Sequence, residues 1–238
     1  MFPIKDYIPR KFPPHAARLL IILNSLFFIY ELSLSRLEFK KFSYLLGVVP
    51  AKYFTPAIAV TNLSLLPFLT HMFLHSGFFH FIINMWILWV FADNVEDVMG
   101  PGRFLVFYVF CGLFAVGGHM LFNPYSTVPV IGASGAIAGV MGAYLILYPG
   151  ARVLTLIPIF IFPFFIDLPA ILFLGLWFFM QFFSGLFSSL GGPGAGGVAW
   201  WAHAFGFLAG IFLVGMFKNK KRAAAINPGT RTDDFDFM

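Results

Sequence analysis

The stretch VIGASGAIAGVMGAY, Val130 to Tyr144, places a single hydroxyl, Ser134, among glycines and alanines, with no charged residue from Phe104 to Ala151. A serine hydroxyl is a poor nucleophile until a base takes its proton, and His203 is the only histidine in the last hundred residues that could do so. Acyl transfer also needs hydrogen-bond donors aimed at the developing oxyanion, each worth on the order of 100- to 1,000-fold in rate. His80 and Asn84 are four residues apart and share one helical face. Together with the amide of Ser134, if a helix starts there, they could supply those donors. No aspartate or glutamate lies at comparable depth, so such a hydrolase would run on a serine–histidine dyad.

Each of these residues also has a bland reading. Ser134 between Gly132 and Gly135 suits a close helix contact of the small-xxx-small kind, and Gly206 and Gly210 suit packing of a last helix against the one that carries Ser134. A lone histidine in a membrane segment can be a structural hydrogen-bonder or a ligand. His71 and His75 have the i, i+4 spacing of metal ligands, but no carboxylate or thiolate accompanies them. The five-residue step from His75 to His80 turns His80 away. These two histidines are expected to brace the first outer loop, and no metal or cofactor is expected. Glu96 is expected to cap a helix or pair with Arg103, and Cys111, the only cysteine, to be a small buried hydrophobe.

The elements that must position these groups follow from composition. Hydrophobic residues make up 60% of the 238 and charged residues only 11%, against about 25% charged in soluble domains. Uncharged runs from Tyr53 to Ala92, Phe104 to Ala151 and Leu168 to Phe217 each exceed the roughly 20 apolar residues of one membrane-spanning helix. Fold-back points fall where glycine, proline and small polar residues cluster, at Asn123 to Pro129 and at Gly191 to Gly197. Six spans result: Ala16 to Ser35, Met72 to Ala92, Phe104 to Phe122, Ser134 to Pro149, Pro169 to Leu190 and Val198 to Phe217. The fourth would be ~24 Å long against a hydrocarbon core of ~30 Å. Its start is therefore expected to lie sunk below the outer boundary, beside a cavity open to the outer face. His80, Asn84, Ser134 and His203 then reach the outer half of the membrane at comparable depth. The expected fold is an all-α polytopic membrane protein, a six-helix bundle with a short fourth helix.

An even count puts both termini on one side, and both are basic, with Lys5, Arg10, Lys11 and Arg18 at the start and Lys218, Lys220, Lys221 and Arg222 near the end. The positive-inside rule makes that side cytoplasmic. The basic pI of about 9.4 reads as topology, with no case for a nucleic-acid partner. Residues 1–15 form a cytoplasmic N-terminal segment, residues 16–217 the membrane domain, and residues 218–238 a disordered cytoplasmic tail. The first apolar segment lacks a convincing cleavage site and reads as a retained span. Arg152 to Asp167, interrupted by Pro158 and Pro163, is too broken for a span and is expected along the inner interface. Phe178, Phe179, Phe182 and Phe183 are expected to face lipid and neighbouring helices, where they could gate lateral entry.

Three motifs lie on three expected helices: His71-x3-His75-x4-His80-x3-Asn84 with Glu96 following, Gly132-Ala133-Ser134-Gly135, and Ala202-His203-x2-Gly206-x3-Gly210. In order and spacing they resemble the rhomboid intramembrane serine proteases, over about Leu66 to Phe217. The resemblance implies Ser134 as nucleophile, His203 as general base and acid, and His80, Asn84 and the Ser134 amide as oxyanion donors. It also implies cleavage of other membrane proteins near the outer end of a transmembrane segment, without cofactor. Two positions depart: Leu66-Pro67 stands where many members have Trp-Arg, and Ala138 where some carry an aromatic that stacks on the histidine. A transporter using the same polar cavity, and a catalytically silent binding or quality-control relative, are the rival readings. A bacterial cytoplasmic membrane is the expected host.

Overall fold

Apolar segments punctuated by glycine, proline and capping residues form helices in the computed structural model, which describes residues 1–55, 65–159, 162–190 and 198–226. After a strand β1 (Phe2–Asp6) come α1 (His15–Leu32), α2 (Arg36–Leu46), α3 (Ala51–Phe54) and α4 (Pro67–Thr70), the last continuing into a 3-10 turn at His71–Phe73. Then follow α5 (Phe78–Met99), α6 (Pro101–Phe122), α7 (Ser134–Leu147), strands β2 (Arg152–Ile159) and β3 (Phe162–Pro169), α8 (Ala170–Leu190), α9 (Trp200–Phe217) and α10 (Lys220–Ile226). Among the described residues, α1, α5, α6, α8 and α9 are long and apolar enough to cross a membrane. The apolar α7 is shorter, with 14 residues, or ~21 Å at 1.5 Å per residue. Large apolar side chains such as Leu26, Phe114, Phe179 and Phe212 stand exposed on these helices, as lipid-facing surfaces require.

Chemistry local to each junction sets the ends. Ser35 and Glu38 form a capping box that starts α2. Gly100, at φ +81°, turns the chain directly from α5 into α6, whose first residue, Pro101, has no N–H to leave unpaired. The start of α1 is capped from elsewhere in the chain: the buried Glu96 carboxylate accepts from the amides of Ala16 and Ala17 at 3.0 and 2.8 Å. This is the capping role expected of Glu96, but at α1, while Arg103 donates to the Lys218 carbonyl.

α7 lies at the centre, with every residue from Gly135 to Tyr144 buried. Its glycines are the contact surface with α9. A Cβ at Gly206 would strike the Gly135 carbonyl, one at Gly210 the Gly139 carbonyl, and one at Gly142 the Phe207 carbonyl. Backbone meets backbone here, and dispersion between closely approached helices takes the place of a hydrophobic driving force that lipid cannot supply. The packing expected of Gly206 and Gly210 is what the structure places there. Cys111 on α6 fills the adjacent space, fully buried, against Gly139.

Several expectations need correction. The fold is not all-α: β1, β2 and β3 form an antiparallel sheet in that order. The stretch from Arg152 to Asp167 is therefore mostly strand, where the prolines had suggested only a broken segment. In the register, Pro158 faces Pro163 and Pro169 faces Arg152. All of these fall on one alternation, in pairs that exchange no ladder hydrogen bond, so the prolines cost the hairpin no N–H donor. The second expected span, Met72 to Ala92, is instead α5 from Phe78 to Met99, because the chain breaks at Leu74 to Gly77. In the tail expected to be disordered, Lys220–Ile226 is helical. The Asn219 amide bonds to the Val98 carbonyl, and Arg222 donates to the Asp97 carbonyl at 2.8 Å while lying 3.9 Å from the Phe12 ring centroid. The expected fold-back at Gly191 to Gly197 and the tail beyond 226 lie outside the described residues.

Candidate active site

Ser134 is delivered by a strap, 130–133, fixed at two points. Val130 exchanges backbone hydrogen bonds with Val48 at 2.7 and 3.1 Å, and the Gly132 amide donates to the His71 carbonyl at 2.8 Å. Gly132 adopts φ +125°, a conformation open to glycine and strained for other residues. A Cβ there would also stand 2.9 Å from Cε1 and 3.0 Å from Nε2 of His80, and 3.6 Å from Ser134 Oγ. Two independent constraints thus demand glycine at that position. The strap ends where α7 begins, so Ser134 occupies the first helical residue, beside amides that have no carbonyl one turn earlier.

His203 stands in the first turn of α9, and its Nε2 lies 2.8 Å from Ser134 Oγ. The two residues are 69 apart in sequence, joined because α7 and α9 touch through their glycines. Both are half-buried, as is His80, so none is sealed off. His80 is itself oriented: the Ser76 amide donates to His80 Nδ1 at 3.3 Å, with Ser76 Oγ at 3.0 Å. An N–H can donate only to an unprotonated ring nitrogen, so the His80 proton sits on Nε2, on the ring edge that faces Gly132. Asn84 lies one turn further along α5, buried, and its Nδ2 has no hydrogen-bond partner among the described residues.

The other histidines separate from this group in part. His71 braces the loop as expected, through Nδ1 to the Pro67 carbonyl at 3.0 Å and through its own carbonyl to Gly132. Burial lowers its pKa from the ordinary value to about 4. The pKa of His75 is lowered to about 3, by burial first and by its neighbour His80 second. His71 and His75 do not share a helix, which removes the i, i+4 argument for a metal pair. His80 does not turn away from His75 either: their rings lie 5.3 Å apart, edge to face, because the break before α5 swings His75 across.

Two polar residues near the site went unread in the sequence. Glu31 on α1 is buried and accepts from the His75 amide at 3.1 and 3.2 Å. Gln181 on α8 is buried and its Oε1 lies 2.7 Å from His203 Nδ1. The available signal was the same for both, a lone amide or carboxylate inside an apolar helix, which is expensive without a partner. Trp177 and Trp200 also flank the His203 ring, with centroids at 6.0 and 6.3 Å. Ala138 itself offers no ring to the histidine. The aromatic cluster on α8 divides: Phe178 stacks on Phe207, whereas Phe179, Phe182 and Phe183 are exposed.

Apolar spanning helices around a recessed serine–histidine contact describe an integral membrane protein with hydrolase-like geometry. Residues 62–220 match the family model of the rhomboid domain, and the chain belongs to the rhomboid family. It is similar to rhomboid protease GluP of Bacillus subtilis, 42% identical over 77 residues that cover 32% of this chain and 15% of GluP. It is also similar to the putative rhomboid protease YdcA of the same organism, 39% identical over 77 residues, 32% of this chain and 38% of that protein. The human mitochondrial presenilin-associated rhomboid-like protein is 31% identical over 101 residues, 40% of this chain and 26% of its own length. The match thus spans well under half the length of each of these relatives.

Proposed function

We propose that this protein is an intramembrane serine protease that hydrolyses peptide bonds in or near transmembrane segments of other membrane proteins. The observation that carries the reading is the 2.8 Å contact between His203 Nε2 and Ser134 Oγ. Ser134 Oγ attacks the scissile carbonyl carbon while its proton passes to His203 Nε2. The carbonyl oxygen becomes an oxyanion, which His80 Nε2–H, Asn84 Nδ2 and the Ser134 amide stabilise. His203 then protonates the leaving amine, the C–N bond breaks, and an acyl-enzyme remains. Water, deprotonated by His203, hydrolyses the ester and restores Ser134. None of these steps calls on a cofactor.

In this reading α7 joins the five longer helices as a sixth, short span, and Ser134 opens toward the face opposite the termini. β1, the β2–β3 hairpin and α10 gather at the other end of the bundle, where Asp6 meets Tyr144 near the end of α7. The basic termini make that end cytoplasmic, and a bacterial cytoplasmic membrane is the proposed host. Substrate helices must unwind to present a carbonyl, so helix-weakening residues favour cleavage. A fluorophosphonate probe should label the detergent-solubilised protein and fail on Ser134→Ala. A model transmembrane substrate should be cut by the wild type and left intact by His203→Ala. Wild-type protein that neither labels nor cleaves would refute the proposal.

A further inference from the structure

We propose that Gln181 is a positioning residue: it holds the His203 imidazole with its proton on Nδ1, so that the Nε2 lone pair faces Ser134. The inference deepens the protease reading and rests on it for its kinetic consequences, though not for its structural content.

The argument begins with valence. An amide oxygen carries no proton, so the 2.7 Å contact between Gln181 Oε1 and His203 Nδ1 requires the ring nitrogen to donate. A neutral imidazole has one N–H, and placing it on Nδ1 leaves Nε2 as an acceptor, 2.8 Å from Ser134 Oγ. With the amide turned over, its NH2 would force the ring proton onto Nε2. His203 would then point an N–H at the serine and could not receive the hydroxyl proton. One side chain on α8 therefore decides which nitrogen faces the nucleophile.

The plane of the ring is held as well as its proton. Trp177 lies four residues before Gln181, on the same face of α8, and its ring centroid is 6.0 Å from that of His203 at an interplanar angle of 34°. Trp200, on α9, meets the imidazole edge-on at 89°. Gln181 and Trp177 together make α8 a bracket for the base, at a depth where a carboxylate in the same place would be costly to bury. A neutral amide selects the tautomer without that burial cost. It also keeps its hydrogen bond when Nε2 takes up a proton, because Nδ1 remains a donor and the bond becomes charge-assisted.

Two variants test this. Gln181→Met keeps length and removes the acceptor, and Gln181→Glu keeps an acceptor at the same place. The wild type should show, by 15N NMR of histidine-labelled protein in detergent, a His203 resonance pair of the Nδ1–H tautomer, assigned by its loss in His203→Gln. Gln181→Met should lose that pattern, with kcat down at least about 10-fold and KM within about twofold. Gln181→Glu should recover most of kcat and move the acid limb of the pH profile upward by about one unit, because a carboxylate beside Nδ1 favours the protonated ring. A wild-type Nε2–H tautomer, or a Met variant with unchanged resonances and kcat, would overturn the assignment, as would a Glu variant as impaired as Met. The NMR readout needs no turnover, so its result is separable from failure of the protease reading, which would show as an unlabelled Ser134.

Discussion

α9 carries His203 and α8 carries the Gln181 that touches it, yet the two helices are held in different ways. α9 meets α7 through Gly206, Gly210 and Gly142, positions at which a single added carbon would enter a carbonyl of the facing helix. α8 is the least embedded of the five long helices, with 28% of its most apolar 18 residues buried against 44% for α9, and a Cβ at its Gly175 would meet nothing within 4 Å. The first contact fixes the distance between Ser134 and His203 by backbone packing. The second orients the His203 ring by one hydrogen bond and one aromatic face. A protease of the proposed kind must keep its reacting atoms in register and still admit a helical substrate. The backbone-packed pair of α7 and α9 sets the approach of Ser134 to His203, and α8 adds only the orientation of the His203 ring.

This contrast predicts that the same substitution has opposite consequences on the two sides. Gly210→Ala should be the most damaging: overpacking against an immovable backbone costs about 1–3 kcal/mol or more, read as loss of monodisperse protein or a large fall in Tm. A Gly210→Ala protein of wild-type Tm would break the comparison at its root. Next, Gly132→Ala should leave the bundle folded but lower kcat on the order of 10-fold or more, since it strains a positive-φ position and displaces His80. Circular dichroism alongside cleavage kinetics separates the two effects.

Acid should loosen the latch between His71 and the strap. The pKa values of His71 and His75 fall from an ordinary 6.5 to about 4 and about 3 in the folded protein. Between those limits the unfolded chain binds more protons, so stability is complete above pH 6.5 and declines as pH falls through that value toward 4 and 3. Each contributes a loss of about 2 kcal/mol by pH 5, visible for His71 as a less acid-sensitive Tm, between pH 8 and pH 5, in His71→Gln than in the wild type. An equal acid sensitivity of the two proteins would mean that the His71 ring stays hydrated in the folded state. The smallest effect belongs to the loosely held side: Gly175→Ala should leave activity unchanged and stabilise by up to about 1 kcal/mol, through helix propensity alone. A clear destabilisation there would show that α8 is packed as tightly as α9.

Much of the site was legible because polar residues in apolar helices are conspicuous. Ser134, His203, His80 and Asn84 could be singled out by type and spacing, and the glycines at 206 and 210 pointed to the helix pairing. What escaped was whatever depended on a partner distant in sequence. Gln181 looked like one polar residue in an aromatic run, and Glu31 like an isolated charge near a helix end. β1 could not be foreseen from five residues whose pairing partner, β2, begins at Arg152. The start of α5 was misplaced because hydropathy continues through Met72 to Gly77 while the backbone does not stay helical.

The sequence by itself determined the solvent and the repertoire: long uncharged runs commit the chain to a bilayer, and Ser134, the histidines at 80 and 203 and Asn84 limit the chemistry open to it. Only the tertiary structure decided which atoms meet. Periodicity and hydropathy are properties of neighbouring residues, whereas the 2.8 Å between Ser134 and His203, and the ring nitrogen that Gln181 selects, depend on how closely glycine lets separate helices approach.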